Sequence, residues 1–212
     1  RSRNLELGSK WRGAGGAAFD AALFRADTDD ELAVASNTNG RSTYRTIGKT
    51  RRQGVEASLQ LPLGAQVDAT LAYTYVRATV REPYLVCAGS GCATPNTPVA
   101  AGSRLPGVPE QQWFGRVDYR PGEWQWAGEV VASSDTVVND LATDRAPGYA
   151  LLNLEAARRW TTTQGGLRVF ARIDNALDQR YVGSVIVNDG NQRFFEPGPD
   201  RRYSVGAQWT WR

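Results

Sequence analysis

The sequence predicts an all-β fold: an antiparallel up-and-down transmembrane β-barrel, of which this chain supplies about nine strands. Three observations carry that expectation. Apolar and polar residues alternate with period two along most of the 212 residues, which is strand patterning and not helix patterning. The connections between alternating segments run short, then long, then short again, as in barrels with tight turns on one side of a membrane and extended loops on the other. Charged side chains are segregated to one of the two faces that the alternation defines, and the other is nearly free of them through the strand middles.

Taken in order, Leu5, Leu7 and Trp11 oppose Glu6, Gly8 and Lys10. Phe19, Ala21 and Leu23 oppose Asp20 and Ala22, and Val55, Ala57, Leu59 and Leu61 oppose Glu56, Ser58 and Gln60. Val67, Ala69, Leu71, Tyr73 and Tyr75 oppose Asp68, Thr70, Ala72 and Thr74. Trp113, Gly115, Val117 and Tyr119 oppose Phe114, Arg116 and Asp118. Trp124, Trp126, Gly128, Val130 and Ala132 oppose Gln125, Ala127, Glu129, Val131 and Ser133. Leu152, Leu154 and Ala156 then alternate with Asn153, Glu155 and Ala157, and Leu167, Val169, Ala171 and Ile173 with Arg168, Phe170, Arg172 and Asp174. Tyr203, Val205, Ala207, Trp209 and Trp211 form the last apolar face.

Soluble sandwiches also use one-sided strands, so the connections and the aromatic residues have to decide. Short turns fall at 13–16, 62–64, 121–122 and 161–165. Long connections cover about 80–110, 134–148 and 175–201, and 37–41 marks the fourth long-side turn, between strands that continue outward. Trp11, Tyr119, Trp124, Trp160, Trp209 and Trp211 gather toward the short-turn end, and Tyr73, Tyr75, Trp113, Tyr149 and Tyr203 toward the long-loop end. Two aromatic belts are what two membrane–water interfaces select. A charge facing lipid at the midplane costs about 2–4 kcal/mol; the apolar face is nearly free of charge through the strand middles, and Arg158, which falls on it, is two residues from Trp160 and so near the interface. Nine up-and-down strands end on opposite sides of a membrane and leave two edges unpaired in lipid, which is not viable. The expectation is therefore a C-terminal piece of a larger barrel.

Composition excludes several functions. No run of 18 apolar residues offers a transmembrane helix. The absence of His removes His-based triads and bases and the commonest axial haem ligand from this piece. Ser133-Ser134-Asp135 has no base, and Asp140 and Asp144 lack EF-hand spacing, so no catalytic residue, metal site or cofactor is expected. Asp29, Asp30 and Glu31 read as the solvated end of a long hairpin. The net charge is +3, and the basic residues are nearly all arginine, with only Lys10 and Lys49 as lysines. That bias fits codon usage, or Arg forks that recognise anions. Arg51-Arg52 and Arg201-Arg202 are isolated pairs, too little for a nucleic-acid footprint. Cys87 and Cys92, with Gly89 and Gly91 between them, fit a small disulfide loop and an oxidising compartment; the alternative is a pair of free thiols.

Four segments resemble a known family. Asn175-Ala176-Leu177-Asp178-Gln179-Arg180-Tyr181 resembles the Asn-x-x-Asp-x-x-Tyr motif near the end of TonB-dependent outer-membrane receptors. Gly102-Ser103-Arg104-Leu105-Pro106-Gly107-Val108-Pro109 resembles their Gly-x-Arg-Leu-Pro-x-x-Pro segment, and Thr50-Arg51-Arg52-Gln53-Gly54-Val55-Glu56 their Arg-x-Gly-x-Glu strand entry. Phe195-Glu196-Pro197-Gly198-Pro199-Asp200-Arg201 resembles the loop before their last strand, with Asp200 where Gly is usual, and Arg212 follows Trp211 where members usually end on an aromatic residue.

The resemblance implies a barrel of about 22 strands with a plugged lumen. It implies that residues 1–212 are the C-terminal part of the barrel, that the N-terminal plug domain lies outside this chain, and that the TonB complex is contacted through that missing region. It implies a bacterial outer-membrane receptor set in the lipid bilayer and importing a scarce large ligand, most often a ferric siderophore. A passive porin or a surface adhesin on the same barrel is the alternative. Arg forks and aromatic faces suit anionic siderophores, which marks Tyr84, Arg104, Arg180, Tyr181, Arg193, Phe194 and Phe195 as candidate contacts. Two of these also have structural readings: Arg104 as a brace on the rim and Tyr181 as packing at the loop base.

Overall fold

The structure, a computed structural model, describes residues 1–88, 92 and 94–211. The loop glycines Gly89 and Gly91 and the terminal Arg212 lie outside the described residues. The strands are β1 (Ser2–Arg12), β2 (Ala18–Thr28), β3 (Leu32–Thr38), β4 (Arg41–Thr46), β5 (Thr50–Pro62), β6 (Val67–Val80), β7 (Tyr84–Val86), β8 (Thr97–Val99) and β9 (Gln111–Tyr119). They continue as β10 (Trp124–Ser133), β11 (Thr136–Val137), β12 (Arg145–Ala146), β13 (Tyr149–Thr162), β14 (Gly165–Asp174), β15 (Val182–Val185), β16 (Phe195–Pro197) and β17 (Arg202–Trp211).

Nine of these form one sheet in the order β1-β2-β5-β6-β9-β10-β13-β14-β17. Every neighbouring pair is antiparallel. The nine strands expected from the alternation are these nine, and β1 and β17 are the edges of the sheet. The four long connections each carry a two-stranded hairpin, β3-β4, β7-β8, β11-β12 and β15-β16.

Register turns the separate alternations into one surface. Trp11 faces Phe19, Phe19 faces Leu59, Leu59 faces Leu71, Leu71 faces Gly115, Gly115 faces Val130 and Val130 faces Leu152. Ile173 continues the same face between Leu154 and Tyr203. A one-residue slip in any strand would turn its apolar set inward. This face is bare: Leu7 is 73% exposed and Val205 84%. An apolar surface of that extent needs a partner, and for a barrel wall that partner is lipid. Replacing Leu23, central in β2 and on this face, with Arg is expected to cost about 2–4 kcal/mol of insertion. Loss of the heat-modifiable folded form on gels would report it.

At the short-turn end, the one charge on that face is handled at the turn. Arg158 bonds Glu123 at 3.0 Å and lies over the rings of Trp124 and Trp160, at 5.4 and 5.0 Å. Tyr149 departs from the expected belt. It pairs with Ser133, and the parity of β13 puts it on the polar face with Asn153.

The long-side hairpin at 37–41 also departs from expectation. β2 and β5 do not run on into β3 and β4. The chain breaks at 29–31 and 47–49, where Ile47, 2% exposed, turns into an apolar cluster and Gly48 takes φ +73°. Glu31, expected in solvent, is instead held by Arg52 at 2.9 Å and by the Thr50 hydroxyl at 3.0 Å. The Arg52 guanidinium keeps its carboxyl below the usual carboxylate range.

The buried core sits among the long connections. Ile47, Ala78, Val80, Val86, Val99 and Leu105 form one cluster, and Val138, Ala146 and Phe194 a second. These side chains come from all four long connections and the ends of the sheet, so the loops form a packed layer over one end of it.

Candidate functional site in the outer loop layer

One carboxylate joins all four long connections. Asp140, 6% exposed, lies between β11 and β12. It is paired with the Arg45 guanidinium from β4, and its Oδ1 accepts a hydrogen bond from the Tyr84 hydroxyl of β7 at 2.9 Å. Asn188, between β15 and β16, donates Nδ2 to Asp140 Oδ2 at 2.9 Å and to the Val34 carbonyl of β3 at 2.7 Å. The Asn188 Oδ1 in turn accepts from the Asp140 backbone N–H at 3.1 Å. Arg45 also lies over the Tyr84 ring, 5.1 Å from its centre. Burial, then the Asp140 charge, push the Tyr84 hydroxyl well above its ordinary range, so it stays a donor.

The family-like segments place their polar residues as braces. Arg104 bonds Asp135 at 3.1 Å and approaches Glu110 at 3.6 Å, while Leu105 enters the first apolar cluster. Burial pushes Asp135 up, but Arg145 at 2.9 Å and Arg104 outweigh it and hold it below the usual range. Asn175, 3% exposed with φ +51°, donates to the carbonyls of Gln179 and Pro199 at 2.8 and 3.2 Å and accepts from the Gln179 N–H at 2.9 Å. Asp178 accepts the Arg201 N–H at 3.0 Å. The Tyr181 ring packs over Gly198, where an added Cβ would lie 2.2 Å from the ring, and against Tyr149 at 4.7 Å.

Inside the sheet, the polar face carries a ladder of charges. Arg116 bonds Asp118 at 2.9 Å and Glu129 at 3.3 Å, and Arg172 bonds Glu129 at 2.9 Å and Asp174 at 2.7 Å. Glu155 pairs with Arg168, and Asn153 donates to Glu129 at 2.8 Å. Asn153 also accepts the Asn175 N–H at 2.9 Å, so the ladder reaches the base of the last outer connection.

The seven candidate contacts therefore divide. Tyr84 is half-buried against Asp140, Arg104 is committed to Asp135 and Glu110, Tyr181 packs on Gly198, and Phe194 is 6% exposed inside the second apolar cluster. Arg180, Arg193 and Phe195 are exposed. All three belong to the connection between β14 and β17. Cys87 and Cys92 are joined by a disulfide, with Cα atoms 5.5 Å apart, beyond the end of β7. Arg45, Asp140 and Asn188 were not among the candidates. In sequence Asp140 suggests at most a calcium ligand; its partner is the Arg45 guanidinium.

Residues 1–176 match the family described as TonB dependent receptor-like, beta-barrel. The Ferrioxamine B receptor of Salmonella typhimurium (strain SL1344) is 24% identical over 191 residues, which cover 87% of this chain and 25% of that protein. The chain thus spans about a quarter of the length of the curated relatives it matches. The siderophore receptor PiuA from Acinetobacter baumannii superposes with a TM-score of 0.77 at 20% identity, covering 97% of this chain and 28% of that one. The copper transporter OprC superposes with a TM-score of 0.71 at 14% identity, covering 99% of this chain and 31% of that one. Likeness at these identities establishes the fold and leaves the cargo open. The sheet order, the bare apolar face, the motif braces and the sequence match over most of its length agree: the chain belongs to the TonB-dependent receptor β-barrel family.

Proposed function

We propose that this chain is the C-terminal, nine-stranded part of the barrel of an outer-membrane receptor that imports a ferric siderophore, driven by the TonB complex. On this reading a plug domain, encoded upstream, fills the lumen and reaches TonB. The observation that carries the cargo is kinship with the ferrioxamine B receptor along 87% of the chain. The outer layer supports it: a rigid scaffold of packed hairpins leaves two guanidinium groups, Arg180 and Arg193, and the Phe195 ring exposed on one connection. Guanidinium forks and an aromatic face are what an anionic or aromatic iron chelate requires.

Uptake of radiolabelled iron tests the proposal, with the full-length receptor expressed in iron-starved cells that make no siderophore of their own. Ferrioxamine B and a panel of catecholate and carboxylate chelates would be supplied, with and without a working tonB gene. TonB-dependent uptake of one chelate is the expected result. Uptake indifferent to TonB would identify a passive pore. No uptake, with attachment to host cells, would identify an adhesin. Alanine at both Arg193 and Phe195 is expected to weaken binding of the transported chelate about tenfold, the scale of one lost charge-assisted hydrogen bond. The amount of folded receptor should be unchanged, because neither side chain is buried.

A further inference from the structure

The external face carries a charged feature that ligand import does not use. Above the apolar row Leu7, Leu23, Val55 and Tyr75, the register sets Leu5, Arg25, Gln53 and Arg77 side by side across β1, β2, β5 and β6. The next row on the same face is Arg3, Asp27, Arg51 and Thr79. Two adjacent rows thus hold four arginines and one aspartate. Asp27 bonds Arg25 at 2.7 Å and Arg51 at 2.6 Å. Arg3 and Arg77 are exposed and make no ion pair among the described residues.

Position fixes what meets these groups. The strand ends concerned are those of the long connections. On β5 the apolar run starts at Leu61, and Arg51 lies ten positions further along. That is about 33 Å of strand, or about 25 Å along the membrane normal at a tilt of about 40°, which is the height of the apolar band of such barrels. The arginines therefore stand at the headgroup level of the outer leaflet, with Tyr75 just beneath them.

We propose that Arg3, Arg25, Arg51 and Arg77 form a docking site for the phosphate groups of an outer-leaflet glycolipid. Guanidinium forks match phosphate oxygens in pairs. Asp27 holds the two central forks in place, and the two flanking arginines supply the uncompensated charge. This site rests on the outer-membrane reading proposed above, taken with the long connections outward.

Native mass spectrometry of the full-length receptor tests it, with bisphosphorylated lipid A and its dephosphorylated form as probes. The wild-type receptor is expected to retain the phosphorylated form at least tenfold better. The double variant Arg3→Gln/Arg77→Gln removes no ion pair among the described residues and is expected to lose that preference, while Arg158→Gln at the opposite rim keeps it. Equal retention of the two lipids by the wild type, or an unaltered preference in the double variant, overturns the site. A cysteine at Asn39, on the β3-β4 turn, separates the two levels of inference. If membrane-impermeant maleimide fails to label it on intact cells, the orientation is wrong and the site falls with it. If it is labelled and no phosphate preference is found, the site alone falls.

Discussion

Replacing Asp140 with alanine is expected to loosen all four outer connections at once. The carboxylate is the shared partner of Arg45 and Tyr84, and Asn188 ties it on to β3. Its removal leaves a guanidinium that is only 23% exposed, and whose buried Nε already has no hydrogen-bond partner. Breaking one side of a buried ion pair costs about 3–5 kcal/mol, and the partial exposure of Arg45 places this case at about 3. The cost falls on the loop layer, because the sheet keeps its own ladder of backbone bonds. Hydrogen exchange should therefore accelerate together in Leu32–Thr38, Tyr84–Val86, Thr136–Val137 and Val182–Val185, with β5, β6 and β13 unchanged. Acceleration confined to the Asp140 connection would show that the four loops are not coupled through this residue. Asp140→Asn, which keeps an acceptor for Tyr84 and loses the charge, should give a smaller change of the same pattern.

The Tyr84 hydroxyl gives the same layer a pH dependence. Burial and the Asp140 charge raise its folded-state value above the ordinary 10.0. A raised value contributes stability that is complete below the unfolded value and is lost as pH rises through the folded one. The four connections should thus hold through neutral pH and loosen progressively above about pH 10. Tyr84→Phe should abolish that slope and leave any acid-side slope from Asp135 and Glu31 in place. Both of those carboxyls are held below their ordinary range, so their contribution is lost only as pH falls.

What the sequence made legible was local. Period-two alternation fixes the face of each residue within its own strand, so the rows through Leu7, Leu23, Val55 and Tyr75 follow once the strands pair in order. Counted from Leu152, the same parity takes Tyr149 off the apolar face. It also separates Phe194 from Phe195. Neighbours in an extended segment point to opposite sides, and here one enters the apolar cluster and the other stays exposed. The hub was not legible. Asn188 and Val34 are 154 residues apart in the chain and Arg45 and Asp140 are 95 apart, so no local pattern marks them as partners. For the same reason residue type alone could not show that Arg104 is spent on Asp135 while Arg193 is open. Glu31 read as solvated because its partner, Arg52, lies across a hairpin of 21 residues.

The last strand should prove the most sensitive to one side chain, Asn175. Three hydrogen bonds from its amide hold the start of the β14–β17 connection to Gln179 and to Pro199, just before β17. Its backbone N–H reaches Asn153 and through it Glu129, so the same residue ties the outer connection to the charge ladder inside the sheet. Its φ of +51° is a conformation that Asn tolerates better than Ala. Asn175→Ala should therefore carry two costs: about 1 kcal/mol for each lost bond and about 1–2 kcal/mol of backbone strain, or about 4–5 kcal/mol together. Asn175→Gly removes the bonds without the strain and should be the milder of the two. The urea midpoint of the full-length receptor in detergent should fall in the order Asn, Gly, Ala. Equal midpoints for Gly and Ala would remove the strain from the account. Equal midpoints for all three would mean that the motif does not clamp β14 to β17, and that the edge of the sheet is held by its ladder alone.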